Sequence, residues 1–376
     1  MNISLLLGSG FSVAAGLPSK DKLNKRLLYL KNEKLRISPA GEMINNHSDN
    51  NTIWPEKQKS LDLCFAIMED YCQRNEFDYE CFYDYLTIKA IDDEKMHQRL
   101  KSVVVFSEQG AKSDIINLDV VYNQMIAHCL IPFQTYYDNL LNTKEKKESY
   151  ADFKRFIECL KDHNHLYIHT LNHDLLLEQL LGRNRISDGF TMDNSPFWGM
   201  INTDRIHERI MLPYYNEAYE TNKPCLYKLH GSLDYYKYND VDGLVVIKVP
   251  KGIDNSSFQK KVNGKLIDRE IGNYHPMFLT GVKTKNPKYD NNSYYKKQII
   301  HFQDNICKSD YLVIIGYSFG DKKINELLFK FRDADNCLII NPNRNDEKMS
   351  FSKGKPKFVE KKFDKVIFSE YLELIK

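Results

Sequence analysis

Three observations in the sequence predict an α/β fold around a parallel sheet. Short, mostly apolar runs of strand length stand at residues 3–7, 166–170, 226–229, 311–315 and 337–340. Each ends in a polar or glycine-containing turn, and three of them feed directly into helical patterns. Runs without polar alternation suit strands covered on both faces. Strand–turn–helix units of this kind build parallel sheets, which bind ligands at the carboxyl ends of their strands.

Length and composition bound the rest. The chain has 376 residues, more than one core usually serves, so two domains or one domain with large insertions is expected. Its 53 Lys and Arg nearly match 51 Asp and Glu, and a formal net charge of +2 supplies no field to draw it onto nucleic acid or an anionic membrane. A nucleic-acid partner is therefore not expected, and the basic stretch 352–362 reads as solvated surface. The apolar run behind Met1 has no basic segment before it and no cleavage site after it. No stretch reaches the roughly 18 apolar residues of a membrane helix, so a soluble, cytoplasmic protein is expected. Eight cysteines are scattered without a C-x-x-C pair, which suits reduced core thiols.

Residues 31–165, between the first and second strands, are too many for a simple crossover. Apolar residues recur there at helical spacing over 61–90, 115–141 and 150–162, for instance at Phe153, Phe156, Ile157 and Leu160. This stretch reads as a helical insertion, with a polar loop at 38–55 and a kink or end at Pro132. Residues 240–295, carrying Gly, Pro, Asn and Lys with short β-like runs such as 244–249, read as an irregular or β insertion near the active-site edge. The sheet domain is then assembled from 1–30, 166–239 and 296–376.

Four strand ends carry residues suited to chemistry. The first strand runs into Gly8-Ser9-Gly10-Phe11-Ser12, followed by Gly16-Leu17-Pro18. Glycines there let backbone N–H groups approach a phosphate at the start of a helix. Such a terminus supplies only about 0.3–2 kcal/mol where micromolar binding needs about 8, so it cannot act alone. Val13 stands where a dehydrogenase fingerprint would place its third glycine, and a helical insertion follows in place of a second strand, which argues against hydride transfer.

The second strand ends in Thr170-Leu171-Asn172-His173-Asp174. Asn172 can donate to and accept from a ribose hydroxyl or an amide, while Asp174 either lines the site or caps the next helix. The third ends in Lys228-Leu229-His230-Gly231-Ser232, where His230 has its proton affinity nearest neutrality and Gly231 lets a substrate approach, unless the pair is a structural turn. The fourth, Gly316-Tyr317-Ser318-Phe319-Gly320-Asp321, is another phosphate or ribose cradle or a capped strand–helix turn. His163, His165, His169 and His173 crowd one strand at a spacing that fits no common zinc pattern.

In order and spacing these motifs resemble the sirtuin family. The family's Gly-Ala-Gly-x-Ser-x-x-x-Gly-Ile-Pro matches Gly8 to Pro18 without gaps, and its Thr-Gln-Asn-x-Asp matches Thr170 to Asp174. Its His-Gly matches His230-Gly231, its Gly-Thr-Ser matches Gly316 to Ser318, and Ile340-Asn341 is similar to the stretch holding its adenosine-contacting asparagine. The resemblance covers about half the chain and leaves both insertions outside. It implies a Rossmann-like parallel sheet of the sirtuin type that binds NAD. By position it implies a catalytic set of Asn172, Asp174 and His230, the first two at the nicotinamide end and the histidine against ribose hydroxyls. It implies NAD contacts from Gly8, Ser9, Gly10, Ser12, Gly16, Thr170, Gly316, Ser318 and Asn341, with Ser318 and Asn341 on the adenosine half.

The departures are informative. Sirtuin deacylases carry two C-x-x-C pairs of a zinc module between their His-Gly and Gly-Thr-Ser motifs. This chain has no such pair, so no zinc, and no cofactor beyond NAD as substrate, is expected. Ser19-Lys20-Asp21 replaces the family's Phe-Arg. The chain is more similar to bacterial sirtuin-like NAD hydrolases of anti-phage defence. That resemblance implies cleavage of NAD to nicotinamide and ADP-ribose or a cyclic product, NAD depletion on infection, a homo-oligomer, and control by a partner such as a HerA-type ATPase. A protein deacylase and a non-catalytic nucleotide sensor or scaffold are the competing readings. The missing cysteine pairs count against the first, and intact Asn172 and His230 against the second. The insertion, with Phe65, Tyr71, Phe82, Tyr83, Tyr136 and Tyr137, is expected to mediate self-association or docking.

Overall fold

The computed structural model describes residues 1–33, 35–37, 43–44, 55–116, 118–134, 140–141, 143–161, 165–203, 206–240, 243–250, 253, 258–268, 276–344 and 349–373. All five apolar runs are strands of one parallel sheet. Its order is Lys357–Val359, Cys337–Ile340, Tyr311–Ile315, Asn2–Leu7, His165–Thr170, Cys225–Lys228. Asn2–Leu7 is central, with sequence-distant neighbours on both sides, and the crevice at this switch in strand order is where such sheets take ligands. The sixth strand, Lys357–Val359, lies in the basic stretch read as solvated surface. It is three residues long and sits at the edge, so no apolar run marks it.

Burial of alternate side chains on opposite faces explains why the runs are mostly apolar. Leu5, Leu7, Val313 and Ile315 pack with Phe153, Phe156, Ile157 and Leu160 of the helix Ala151–Lys161 and with Phe363 and Tyr371 near the C-terminus. Leu6, Leu312 and Ile314 pack on the other side with Ile299, Phe302 and Ile306 of the helix Ser293–Lys308. Ser4 is a buried polar residue within the first strand, and its hydroxyl is satisfied by Ser309 Oγ at 2.7 Å.

The helix Ala151–Lys161, which helical spacing alone assigns to the insertion, is thus a layer of the sheet domain. Conversely Lys20–Tyr29, assigned to the sheet domain, turns Leu23 and Leu27 into the core of the insertion. Periodicity shows that a helix buries one face and says nothing of what covers it. The insertion core also holds Leu61, Phe65, Tyr71, Phe82, Tyr83, Tyr122 and Met125 from Pro55–Cys72, Tyr79–Asp84 and Leu118–Gln134. Of the aromatics named from the sequence, Phe65, Tyr71, Phe82 and Tyr83 are buried in this core. Tyr136, Tyr137 and most of 38–55 lie outside the described residues. The Leu118–Gln134 helix stops just beyond Pro132.

The β insertion begins well before residue 240. Gly189–Thr191, Tyr214–Ala218, Tyr235–Asp240 and Gly243–Lys248 form one four-stranded antiparallel sheet. Phe197–Thr203, Ile206–Met211, Gln259–Val262 and Lys265–Asp268 form another. Phe197, Leu212, Tyr238, Ile247 and Phe258 make their shared core. Among the described residues no helix is long and apolar enough to cross a membrane.

Phe156 is fully buried and stacks on Tyr371 with ring centroids 4.9 Å apart. Phe156→Ala is expected to cost about 3–5 kcal/mol in one cooperative urea transition that near- and far-UV circular dichroism report together. A separate early loss of helical signal alone would return this helix to the insertion.

Candidate active site

The crevice at the strand ends is a cavity of about 280 Å³. Its floor comes from the sheet loops and its outer wall from Leu23, Tyr79, Ile126 and Leu130 of the insertion. The first loop and the loop after Tyr311–Ile315 meet backbone to backbone, Gly8 N donating to Ile315 O at 2.9 Å and Gly10 N to Gly316 O at 3.0 Å. Gly316 has φ +62°, and a Cβ there would lie 2.6 Å from Phe11 N; one on Gly8 would lie 2.5 Å from Gly316 O. Glycine is required here by two chain segments in contact, before any ligand is considered. The amides of Gly8, Gly10 and Phe11 all bond within the protein, so the loop presents its serines to the cleft more than an open ring of N–H groups.

The second strand end is tied to this loop. Asn172 Nδ2 donates to Gly8 O and to Ser12 Oγ, both at 2.9 Å, and its backbone N–H donates to Thr170 Oγ1 at 3.1 Å. Its Oδ1 has no protein partner among the described residues. The Asp174 carboxylate accepts from Leu176 N at 3.0 Å in a local turn, but the N-cap of the helix Leu176–Leu181 is Leu175, so Asp174 is not the helix cap weighed from sequence; it also lines the cleft. Beneath it Lys228 Nζ lies 3.0 Å from Glu178 Oε1, with side chains 0% and 1% exposed. Lys228 also donates to Asp174 O and, at 3.1 Å, to Ser232 Oγ. A buried cation needs this set of partners, and in satisfying it Lys228 joins the Asn172–Asp174 and His230–Ser232 segments.

His230 lies in the cleft at 5% exposure. Its Nε2 is 2.7 Å from Tyr289 Oη and 3.2 Å from Asp321 Oδ2, and the Tyr289 hydroxyl is 3.1 Å from the same carboxylate oxygen. Asp321 Oδ1 caps the helix Lys322–Leu328 through Ile324 N at 3.1 Å. Burial, with the charge of Lys285 behind it, pushes the His230 pKa down and keeps the ring neutral. Burial works against the charge of Asp321, yet the hydrogen bond with His230 and the charge of Lys285 hold its carboxyl well below the usual carboxylate range. His173, whose ring centroid is 6.2 Å from that of His230, is also pushed down, by burial and by the positive groups around it.

Tyr289 and Lys285 stand on the helix Lys285–Asn291, which the helical insertion holds in place. Lys285 pairs with Glu80, and Lys20 lies 2.6 Å from Asp78 and 3.5 Å from Glu80. The Asp84 carboxylate accepts from the backbone N–H of Val282, Lys283 and Thr284 at 3.0, 2.7 and 3.1 Å.

The structure brings Asn172, Asp174, His230, Gly8, Ser9, Ser12, Gly316 and Ser318 together on one cavity. Gly10, Gly16, Thr170 and Asn341 do not line it. Asn341 Nδ2 donates to Tyr317 O at 2.8 Å and Thr170 Oγ1 to Leu7 O at 3.4 Å, so both brace the loops from behind. Sequence reasoning missed Lys285, Tyr289 and Glu80. It quoted Asp321 only within a motif, where its capping position was the available signal. Among the described residues no group of three or more His, Cys, Asp or Glu is placed to hold a metal, and the stretch between Gly231 and Gly316 contains one cysteine, the exposed Cys307.

A parallel sheet in this order, with polar groups gathered at its switch point, defines a Rossmann-like protein of the sirtuin type. Residues 166–363, more than half of the chain, match the SIR2-like domain, and the protein belongs to that family. Among solved structures, a Sir2 homologue in complex with NAD aligns at 12% identity over 99% of this chain and 89% of its own, with a TM-score of 0.34. Sir2Tm bound to a propionylated peptide aligns at 11% identity over 99% and 92%, with a TM-score of 0.37. No curated protein sequence matches the chain.

Burial also lowers the pKa of His169, in the second strand, to about 3. His169 and His230 therefore stay neutral in the folded protein where the unfolded chain, with histidines near 6.5, takes up protons. Their stabilisation is complete above pH 6.5 and is lost as pH falls below it. The urea midpoint is expected to drop between pH 7.5 and pH 5, and His169→Phe should flatten that slope. An unchanged slope in the variant would refute the assignment.

Proposed function

We propose that the protein is an NAD glycohydrolase, cleaving the nicotinamide–ribose bond to give nicotinamide and ADP-ribose or its cyclic form. The observation that carries this reading is the convergence of Asn172, Asp174 and His230, which match sirtuin motif positions, with Ser12 and Ser318 on one cleft of a SIR2-like domain. The C1′–N bond breaks and its electron pair returns to the pyridinium nitrogen, so nicotinamide leaves neutral and needs no strong acid. The barrier lies at the oxocarbenium-like ribosyl centre, as in glycoside cleavage. Asn172 Oδ1 and the serines position the ribose. His230, neutral, takes the proton of the attacking water or of a ribose hydroxyl and returns it to solvent. The apolar wall of Leu23, Ile126 and Leu130 excludes bulk water from one side.

In this reading zinc is not required, because the chain lacks the paired cysteines of the deacylases. The resemblance supports a cytoplasmic effector of anti-phage defence that depletes NAD, working as a homo-oligomer or under a partner such as a HerA-type ATPase.

Mass spectrometry of NAD incubated with the purified protein is the test. Nicotinamide and ADP-ribose, or its cyclic form, are expected without added zinc or peptide. Intact NAD beside a protein that binds it would favour the sensor, and NAD loss coupled to peptide deacetylation the deacylase. His230→Ala should keep NAD affinity within about tenfold, roughly 1.4 kcal/mol, while cleavage falls about 10²–10⁴-fold. Cleavage at the unaltered rate would remove His230 from the chemistry. Asn172→Ala should lose activity together with about 1–3 kcal/mol of stability, because Gly8 O and Ser12 Oγ lose their donor. An inactive variant of full stability would assign Asn172 to the substrate alone.

A further inference from the structure

We propose that Asp321 and Tyr289 are positioning residues that hold His230 as its Nε2–H tautomer, so that Nδ1 is the ring nitrogen that accepts a proton in the cleft. Three atoms, His230 Nε2, Tyr289 Oη and Asp321 Oδ2, stand within 2.7, 3.1 and 3.2 Å of one another. The ionised carboxylate brings no hydrogen and the tyrosine brings one. If Nε2 carried none, the single hydroxyl proton would have to serve all three contacts, and two lone pairs would face each other in a buried site. With a proton on Nε2, the imidazole donates into the pair, Tyr289 donates to Asp321, and every contact is satisfied.

The consequence falls on the other ring nitrogen. Nδ1 has no protein partner among the described residues, and in the Nε2–H form it carries a lone pair on a side chain that lines the cavity. When Nδ1 takes a proton from water or a hydroxyl, the positive charge of the ring forms against the Asp321 carboxylate, the arrangement by which a buried acid orients a catalytic histidine. Lys285 and Glu80 from the two insertions, His173 from the second strand end, and Tyr289 and Asp321 are the ionisable groups that face this ring. Both positioning residues lie outside the motifs shared with the sirtuin family, and Tyr289 stands on the helix Lys285–Asn291 that follows the β insertion.

The tautomer can be read without any substrate, whereas the kinetic arm rests on the NAD-cleavage reading, so the two can fail separately. Protein labelled with ¹⁵N-histidine is titrated by NMR, with His230 assigned by the signal lost in His230→Ala. In the neutral ring a pyrrole-like Nε2 and a pyridine-like Nδ1 are expected, with the Nδ1–H form gaining population in Asp321→Asn and Tyr289→Phe. The opposite pattern in the unaltered protein, or an identical pattern in both variants, overturns the proposal. Asparagine caps a helix as well as aspartate does, so a merely structural Asp321 would tolerate Asp321→Asn. We expect instead that kcat for nicotinamide release falls about 10²–10⁴-fold with KM nearly unchanged. The acid limb of the kcat profile should also move to lower pH, because the charge that raises the proton affinity of His230 is gone. An unchanged kcat and acid limb would overturn the positioning role even if the tautomer is as stated.

Discussion

Leu5 and Leu7 are claimed by one helical layer and Leu6 by the other, and the same division runs through Val313, Ile315, Leu312 and Ile314. This double covering is the constraint on which the molecule depends. With both faces of the sheet sealed, polar chemistry has room only at the strand ends. The register of the parallel strands sets Leu7 beside Ile315 on one side and Thr170 on the other, which brings their following loops to one rim. Asn172, Ser12 and Gly316 meet because the strands beneath them are buried in step. Lys228 adds a second tie below the rim, at the cost of a buried cation that only a full set of partners makes tolerable.

The sheet does not complete the site by itself. The histidine comes from a strand end, the tyrosine beside it from a short helix after the β insertion, and the outer wall from the helical insertion. Asp84 binds three successive backbone amides at 282–284, and Lys285 pairs with Glu80 on the same helical turn region. Three segments far apart in sequence thus share one geometry. The insertions act as structural walls of the cleft, and their conformation bears directly on the nitrogen that Tyr289 and Asp321 hold.

What was legible in the sequence follows from where burial is two-sided. The five strands covered on both faces are mostly apolar runs and were visible at once. Lys357–Val359 was not, because an edge strand of three residues need bury little. The antiparallel sheets between Gly189 and Asp268 were largely missed, since strands such as Tyr214–Ala218 are half-exposed and rich in tyrosine and charge. At the site, Asn172, Asp174 and His230 stood out because they follow strands within short motifs. Tyr289 sits in the polar run 285–292 with no periodicity around it, and its proximity to His230 comes from tertiary packing alone. Asn341 was assigned to the adenosine half by resemblance alone, and the brace its side chain gives the Tyr317 carbonyl is a tertiary contact that no motif displays.

The contact of Gly8 and Gly10 with Gly316 also bears on how such a sequence can drift. A side chain on either loop would strike the backbone of the other, so the exclusion is mutual and indifferent to what the cleft contains. Two glycine motifs at opposite ends of the chain are thereby constrained as a pair, so their presence speaks for the shape of the sheet, and the chemistry has to be sought in the side chains beside them.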